Sequence, residues 1–482
     1  MRRRLFHIVN AALAVGFWLF YGLKCSGMMH GIEGDSLFVW TPQFASEMLS
    51  RSGGLSGWLC AFFTQFYYYP LLGSALAALL LALLSLGVSL FCRSGQTLPL
   101  ALVPSMVCAA LLLDPKWTLA LPVALCISVW VALGVCRIRP MWLKIAAAAG
   151  AAMLLWFKVI DCQYYIYAES PVLTYAAIVA GTALVCVVCA LVPQKGPRWI
   201  GWAGYAVLAA AFLLVAPGRV DDEEETVARY SYMVRVRDWD AVIAKASKEK
   251  LRSPLCANAL NLALEMKGQL GEDMFRFYQN GQRSLVNFEE RKLSSEILYL
   301  LGFVNEARHL AFEDMAGNPS RDRGAYHLTR LVNFNAVDPQ RRPIADRYLG
   351  TLHKTLFYRH FEPENLVSSE MEPCEDFFFN FDSFSQMLGF LHNQRPDNLR
   401  ARDYFAASLL LDKQTSIFAA FFPPSEDNPK SWREALQVAS SLAGGEVAPE
   451  LQAYVDAYNA NHGRSGGMSR FSGTYWYYFN FR

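Results

Sequence analysis

The stretch WIGWAGYAVLAAAFLLVAPGRVDDEEE (residues 199–225) decides how this chain is read. From Trp199 to Ala216 it carries no charge and comes close to the roughly 20 apolar residues that cross a hydrocarbon layer as a helix. Pro217-Gly218 then breaks the run. Asp221–Glu225 is wholly acidic, which suits a linker or a helix N-terminus, where negative charge is favoured. The stretch separates two halves of different chemistry. Residues 1–216 hold 13 Lys+Arg and 6 Asp+Glu, a net of +7, whereas residues 217–482 hold 31 and 36, a net of −5. The averages over 482 residues, 54% hydrophobic and 18% charged, conceal this division. A purely soluble enzyme is excluded, and so is a disordered chain. The absence of a basic stripe argues against nucleic acid as a partner. The expected fold class is all-α: a transmembrane helix bundle over 1–216, then a soluble α-helical domain over 217–482.

Working back from Ala216, seven runs are apolar enough to be spans: Leu5–Leu23, Leu71–Phe91, Leu98–Leu113, Trp117–Cys136, Met141–Phe157, Val172–Val192 and Trp199–Ala216. The third and fifth are short. The connecting segments alternate in charge. Arg2, Arg3, Arg4, Arg93, Arg137, Arg139, Lys195 and Arg198 fall on one side; Lys24, Arg51, Lys116 and Lys158 fall on the other. Basic loops stay in the cytoplasm. The expectation is therefore a cytoplasmic N-terminus in a bacterial inner membrane, with residues 217–482 in the periplasm. Loss of one span would move that half to the cytoplasm.

Nine of the eleven cysteines precede residue 200, most within apolar runs. There cysteine acts as a small apolar residue. Cys186-x-x-Cys189 has a redox or zinc spacing, but a thiolate is costly in hydrocarbon. Cys256 and Cys374 are the only two in the second half, and their spacing implies no disulfide framework.

The first outer loop, residues 24–70, is the most informative part of the membrane half. Leu37, Phe38, Trp40, Phe44, Met48 and Leu49 form one apolar set, and Leu55, Leu59, Phe62, Phe63 and Phe66 another. Both suit amphipathic helices at the membrane interface, broken at Gly53-Gly54. Tyr67, Tyr68 and Tyr69 precede the second span at the depth of an aromatic belt. This reads as interfacial anchoring. The sharper alternative is a lipid-headgroup or lipid-linked substrate site, with Gln65, Tyr67, Tyr68 and Tyr69 as binding candidates.

No Walker motif, dinucleotide fingerprint, zinc-protease motif or nucleophile elbow occurs, so no cofactor is called for. The eight histidines are scattered, and none forms a zinc-ligand pattern. The acids around Cys374, from Glu362 to Asp376, match no calcium loop and read as a solvated stretch. The outer-side carboxylates Glu33, Asp35, Asp114, Asp161 and Glu169 are the catalytic candidates, because charge near a membrane is costly unless it is solvated or functional. The plainer reading makes all five solvated loop residues.

Beyond Glu225 the pattern is helical, with short units beginning near Arg237, Gly302, Pro396 and Trp432. These resemble degenerate tetratricopeptide repeats, without the strict 34-residue period. Such stacks imply a face for a peptide or protein partner. The aromatic end, Gly473–Phe481, reads as a final strand or helix on the core, or as an interfacial anchor. As a whole, the chain resembles a family of polytopic membrane proteins from Bacteroidota that is classed only as a domain of unknown function. LSRSGGL (49–55), FTQFYYYPLLG (63–73) and TYWYY (474–478) carry that resemblance. It implies a membrane half and a helical-repeat half, and no activity. The architecture also resembles membrane glycosyltransferases of the C-type fold, with a cytoplasmic N-terminus, an acid in the first outer loop and interfacial helices before the second span. That resemblance implies catalytic roles for Glu33, Asp35 and Asp114, though the Asp114 loop is short and no paired-acid motif stands out. The leading expectation is an inner-membrane protein whose helical domain binds or assembles envelope partners. The alternative is a glycosyltransferase using a lipid-linked donor.

Overall fold

The computed structural model describes residues 2–160, 171–192, 199–251, 253–317, 324–374 and 384–482. Among them the chain is all-α, with no β-strand. It divides into two compact units. One comprises Met1–Ala228 with the described parts of Gly317–Leu328 and Leu349–Phe361; the other comprises Arg229–Ala316, Thr329–Tyr348 and Glu362–Arg482.

The first unit is built on α1 (Arg2–Lys24), α2 (Ser26–Gly34), α3 (Pro42–Ser50), α4 (Gly54–Thr64), α5 (Pro70–Ser89), α6 (Val103–Leu111), α7 (Ala120–Cys136), α8 (Met141–Leu154), α9 (Pro171–Leu191), α10 (Trp199–Val215) and the start of α11 (Asp222–Arg235). Helical segments coincide with all seven apolar runs. Five are long and apolar enough to cross a membrane; Leu98–Leu111 and Ala120–Cys136 are shorter. The third run opens as a 3-10 turn over Leu98–Leu102 before α6. Pro99 and Pro104 have no N–H to give a continuous α-helix there. α5 packs on α1 and α7 at the centre, with Leu81, Leu84 and Val88 buried along it. Cys108 and Cys126 are buried among apolar neighbours, as small apolar side chains.

The break at Gly53-Gly54 lies where the sequence puts it. Gly53 takes φ 64°, a left-handed conformation that favours glycine. A Cβ on Gly54 would come within 2.1 Å of the Met48 carbonyl oxygen. Thr41 caps α3 by accepting from the Phe44 N–H at 3.3 Å, and Pro42 and Pro70 open their helices without a donor to orphan.

The second unit continues with α12 (Trp239–Lys248), α13 (Pro254–Met266), α14 (Leu270–Asp273), α15 (Arg291–Leu301), α16 (Val304–Gly317), α19 (Phe384–Gln394), α20 (Leu399–Leu411), α21 (Thr415–Phe421), α22 (Lys430–Leu442), α23 (Pro449–Ala460) and α24 (Tyr475–Phe481), while α17 (Ala325–Ala336) and α18 (Arg342–Leu352) are divided, Ala325–Leu328 and Leu349–Leu352 belonging to the first unit. Helices occur at each of the four expected unit starts. Cys256 is buried and Cys374 exposed, and no disulfide joins them. Several buried charges are paired within this unit. The Arg330 guanidinium donates to Ser295 Oγ at 2.8 Å and to Asp314 Oδ2 at 2.5 Å, joining α15, α16 and α17. Arg237 bridges Glu296 at 2.8 Å and Glu364 at 2.6 Å. Removing one partner of such a buried pair strands the other charge.

The aromatic end of the chain is a helix with Tyr475, Trp476 and Tyr478 buried. It docks on α22 through Glu434. One carboxylate oxygen accepts from the Tyr475 N–H at 2.6 Å, and the Glu434 carbonyl accepts from Trp476 Nε1 at 3.2 Å. Burial pushes the Glu434 carboxyl up to about 7, against the opposing pull of the Tyr475 N–H and Lys430. Burial likewise raises Glu265, Glu364, Glu372, Asp403 and Asp412. The folded state therefore holds protons that the unfolded chain releases near its ordinary value of 4.5. Stability from Glu434 is fullest below that value, declines as pH rises towards 7 and is lost above it. Melting of the full-length protein is expected at a lower temperature at pH 8 than at pH 5. Glu434→Gln keeps an acceptor for the Tyr475 N–H and removes the charge, so it should raise the pH 8 midpoint and flatten the pH dependence. The gain is on the order of 3 kcal/mol at most. A variant that melts below wild type at pH 8 would show that the carboxylate is needed in its charged form.

Candidate functional site

The segment between α1 and α5, residues 24–70, does not lie open. Its first element, α2, buries Met28, Met29, His30, Glu33 and Gly34. A helix start leaves N–H groups without intrahelical partners. Here the Glu225 carboxylate, 5% exposed at the start of α11, accepts from the Gly27 and Met28 N–H groups at 2.8 Å each. A carboxylate at this end also meets the positive pole of the helix. Beside it, Lys24 Nζ lies 2.6 Å from Asp222 Oδ1.

The C-terminal end of α2 carries Glu33 and its capping residue Asp35, and two stretches from much later in the chain meet them. Tyr358 donates its hydroxyl to Glu33 Oε1 at 2.6 Å, both side chains being buried. His327 Nε2 lies 3.4 Å from Asp35 Oδ1. The imidazole is 1% exposed, whereas the Asp35 side chain is 37% exposed. Two main-chain bonds fix these approaches: Ala325 N–H to Ser36 O at 3.0 Å, and Trp40 N–H to Lys354 O at 3.3 Å. Gly324 makes the first one sterically feasible. A Cβ there would lie 2.3 Å from the Gly34 carbonyl oxygen and 2.8 Å from Asp35 Cα, so backbone would have to move.

Aromatic rings flank this end. Phe62 meets Phe38, Trp40 and Phe66 edge to face at 5.4–5.7 Å between centroids, and Phe38 meets Trp40 at 5.0 Å. Phe66 continues to Phe357, on which Tyr68 stacks at 5.0 Å with rings 6° from parallel. Trp40 and Tyr69 are the exposed members, at 59% and 55%.

The sequence candidates separate into distinct places. Glu33 and Asp35 are together at the end of α2. Asp114 belongs to a different group: its Oδ1 accepts from the Lys116 N–H at 3.0 Å, and it adds, after burial and Asp221, to the forces that raise the Glu224 carboxyl. Gln65 is buried and donates to the Phe62 carbonyl at 2.9 Å. Tyr67 is buried and meets the Tyr21 ring edge to face at 6.0 Å. Tyr68 and Tyr69 surround Phe357. Asp161, Glu169, Lys195, Arg198, Glu375 and Asp376 lie outside the described residues. Sequence reading missed His327, Tyr358, Phe357 and Glu225, because no local pattern marks a partner about 200–300 positions away. Among the described residues, no group of three or more His, Cys, Asp or Glu side chains is arranged to hold a metal.

Chemically, the end of α2 offers two kinds of acid. Glu33 is a buried carboxylate held by a phenol. Asp35 reaches solvent with an imidazole behind it, an arrangement that can take up and hand on a proton.

The chain belongs to a family of unknown function (DUF6057), whose model matches residues 2–159 and 153–482. No curated protein and no solved structure matches it.

If Tyr358 clamps the first loop through Glu33, Tyr358→Phe should lower stability by roughly 1.5–3 kcal/mol, the usual worth of a hydrogen bond to a charged group. Gly324→Ala should cost more, because backbone must shift. Thermal melts of the full-length protein test both, and a Tyr358→Phe melt indistinguishable from wild type would remove the clamp.

Proposed function

We propose that this member of the family is a multi-pass protein of a bacterial inner membrane that transfers a group, a glycosyl unit in the simplest case, from a lipid-linked donor at the end of α2. The juxtaposition of Asp35 with His327, beside Glu33 with Tyr358, carries the reading. In this scheme Asp35 takes the proton of an acceptor hydroxyl as its oxygen bonds to the sugar carbon. The bond from that carbon to the lipid phosphate breaks, and the phosphate leaves with the electron pair. His327 orients Asp35 and shares its proton. Glu33 and Tyr358 hold the end of α2 in register. The aromatic ladder from Trp40 to Tyr69 supports a lipid-linked substrate, since exposed aromatics suit the interface between headgroups and chains.

Membrane placement rests on the apolar helices. α8 buries none of its side chains within the protein although it is almost wholly apolar, as expected of a helix facing lipid. The two short apolar helices are consecutive, so counting both or neither gives seven or five spans, an odd number in each case. With the N-terminus kept inside by its arginines, the second half is then periplasmic in either count. A second reading, recruitment of an envelope protein or peptide by the repeat-like helices, is favoured by Leu399, Ile417, Phe421 and Leu442, which are exposed on that unit. It is compatible with the first, as a means of bringing the acceptor.

In cells lacking the gene, Asp35→Asn and His327→Gln should each fail to restore the envelope-glycan profile, with activity reduced about 100-fold or more and normal membrane levels. Asp114→Asn should restore it. Full restoration by both Asp35→Asn and His327→Gln would sink the transferase reading. Capture of one envelope protein by cross-linking to residues 229–482 in the same cells would then favour recruitment.

A further inference from the structure

Sequence spacing pairs Cys186 with Cys189, but the fold brings Cys189 to Cys92. Cys92 lies three residues past the end of α5, and Cys189 lies in the last turn of α9. Both thiols donate to one atom, the Thr97 carbonyl oxygen, from 3.7 Å and 3.8 Å, and they interact directly with each other. The main chains touch at the same point, where the Arg93 N–H donates to the Cys189 carbonyl at 3.2 Å. A main-chain bond at this point and two thiols sharing one acceptor bring the pair together, as a disulfide requires. Both cysteines are buried, at 5% and 0% exposure. Contact with Cys189 and, to a lesser degree, the Arg3 guanidinium hold the Cys92 thiol below its ordinary range, which favours Cys92 as the attacking sulfur.

We infer that Cys92 and Cys189 form a redox site, a dithiol that a small neutral peroxide converts to a disulfide joining the exit of α5 to the end of α9. The Cys92 thiolate attacks the O–O bond of hydrogen peroxide, giving a sulfenic acid and, with the thiol proton, one water. The Cys189 sulfur then attacks the sulfenic sulfur and expels a second water. Two thiols and one peroxide become one disulfide and two waters. Burial excludes larger oxidants and admits this one. The hydrocarbon penalty that argues against a lasting thiolate does not apply to the product, which is neutral and apolar. Both cysteines sit at the end of the bundle that carries Arg3 and Arg93, the side assigned to the cytoplasm by charge, where thiols are ordinarily reduced. The site is thus reduced at rest and oxidised under peroxide stress.

The test uses full-length protein in native membranes. Membranes are exposed to hydrogen peroxide, denatured, blocked with a maleimide and digested for peptide mapping. The expected result is a Cys92–Cys189 linked peptide, loss of two maleimide-reactive thiols per chain, and recovery of both after dithiothreitol. Cys186→Ser should retain the link; Cys92→Ser and Cys189→Ser should abolish it. A link between Cys186 and Cys189, oxidation to sulfinic acid without a link, or no change in thiol count would each overturn the inference. The wild-type peptide map decides between these outcomes even where a serine variant fails to accumulate.

Discussion

A nine-residue helix buried at both ends sets the central constraint on the first unit. The opening N–H groups of α2 cannot reach water, so Glu225 must supply a carboxylate to Gly27 and Met28. Its closing residues carry Glu33 and Asp35, so Tyr358 and His327 must come to them. A buried polar group costs a few kcal/mol when left without a partner. Satisfying this one helix therefore draws in the start of α11, the start of α17 and the segment after α18. The path of the first outer loop, the position of the aromatic ladder and the close approach at Gly324 follow from that demand.

The two units treat buried acids differently, and the contrast bears on chemistry. In the second unit guanidinium groups hold them: Arg330 with Asp314, and Arg237 with Glu296 and Glu364. A guanidinium keeps its charge at every relevant pH and favours the anion beside it, although at Glu364 burial outweighs that pull. At the end of α2 a phenol meets Glu33 and an imidazole meets Asp35. Such partners leave the number and location of protons open to change, which is the property that acid–base work requires.

Local pattern carries much of the fold. All seven apolar runs coincide with helical segments, the break at Gly53-Gly54 separates α3 from α4, and helices begin near each repeat-like start. Apolar length, glycine and proline act within a few residues, so they are legible in one sequence. α2 itself is not legible, because SGMMHGIEG has two internal glycines and no strong apolar face; it is helical through the capping and burial that distant residues supply. Asp35 and Glu33 can be picked out as acids near a membrane. Their partners cannot, since nothing around His327 or Tyr358 differs from an ordinary helix or an aromatic loop.

The Tyr358–Glu33 bond joins residues 325 positions apart. That separation has a consequence in time. A chain grows from its N-terminus at about 5–20 residues per second, so roughly 15–65 s elapse between the synthesis of Glu33 and that of its partner. Glu225 comes to the opening of α2 partway through that interval, but Glu33 at its other end lacks Tyr358 throughout, and the aromatic loop that follows has no Phe357 to pack on. The early apolar helices can pack on one another, but residues 24–70 between α1 and α5 stay unfinished until the segment after α18 exists. A ribosome that stalls within that window, or a truncation before residue 358, leaves an intermediate whose residues 24–70 are open to proteases and to wrong partners. Quality control of this protein is thus tied to completion of its second half.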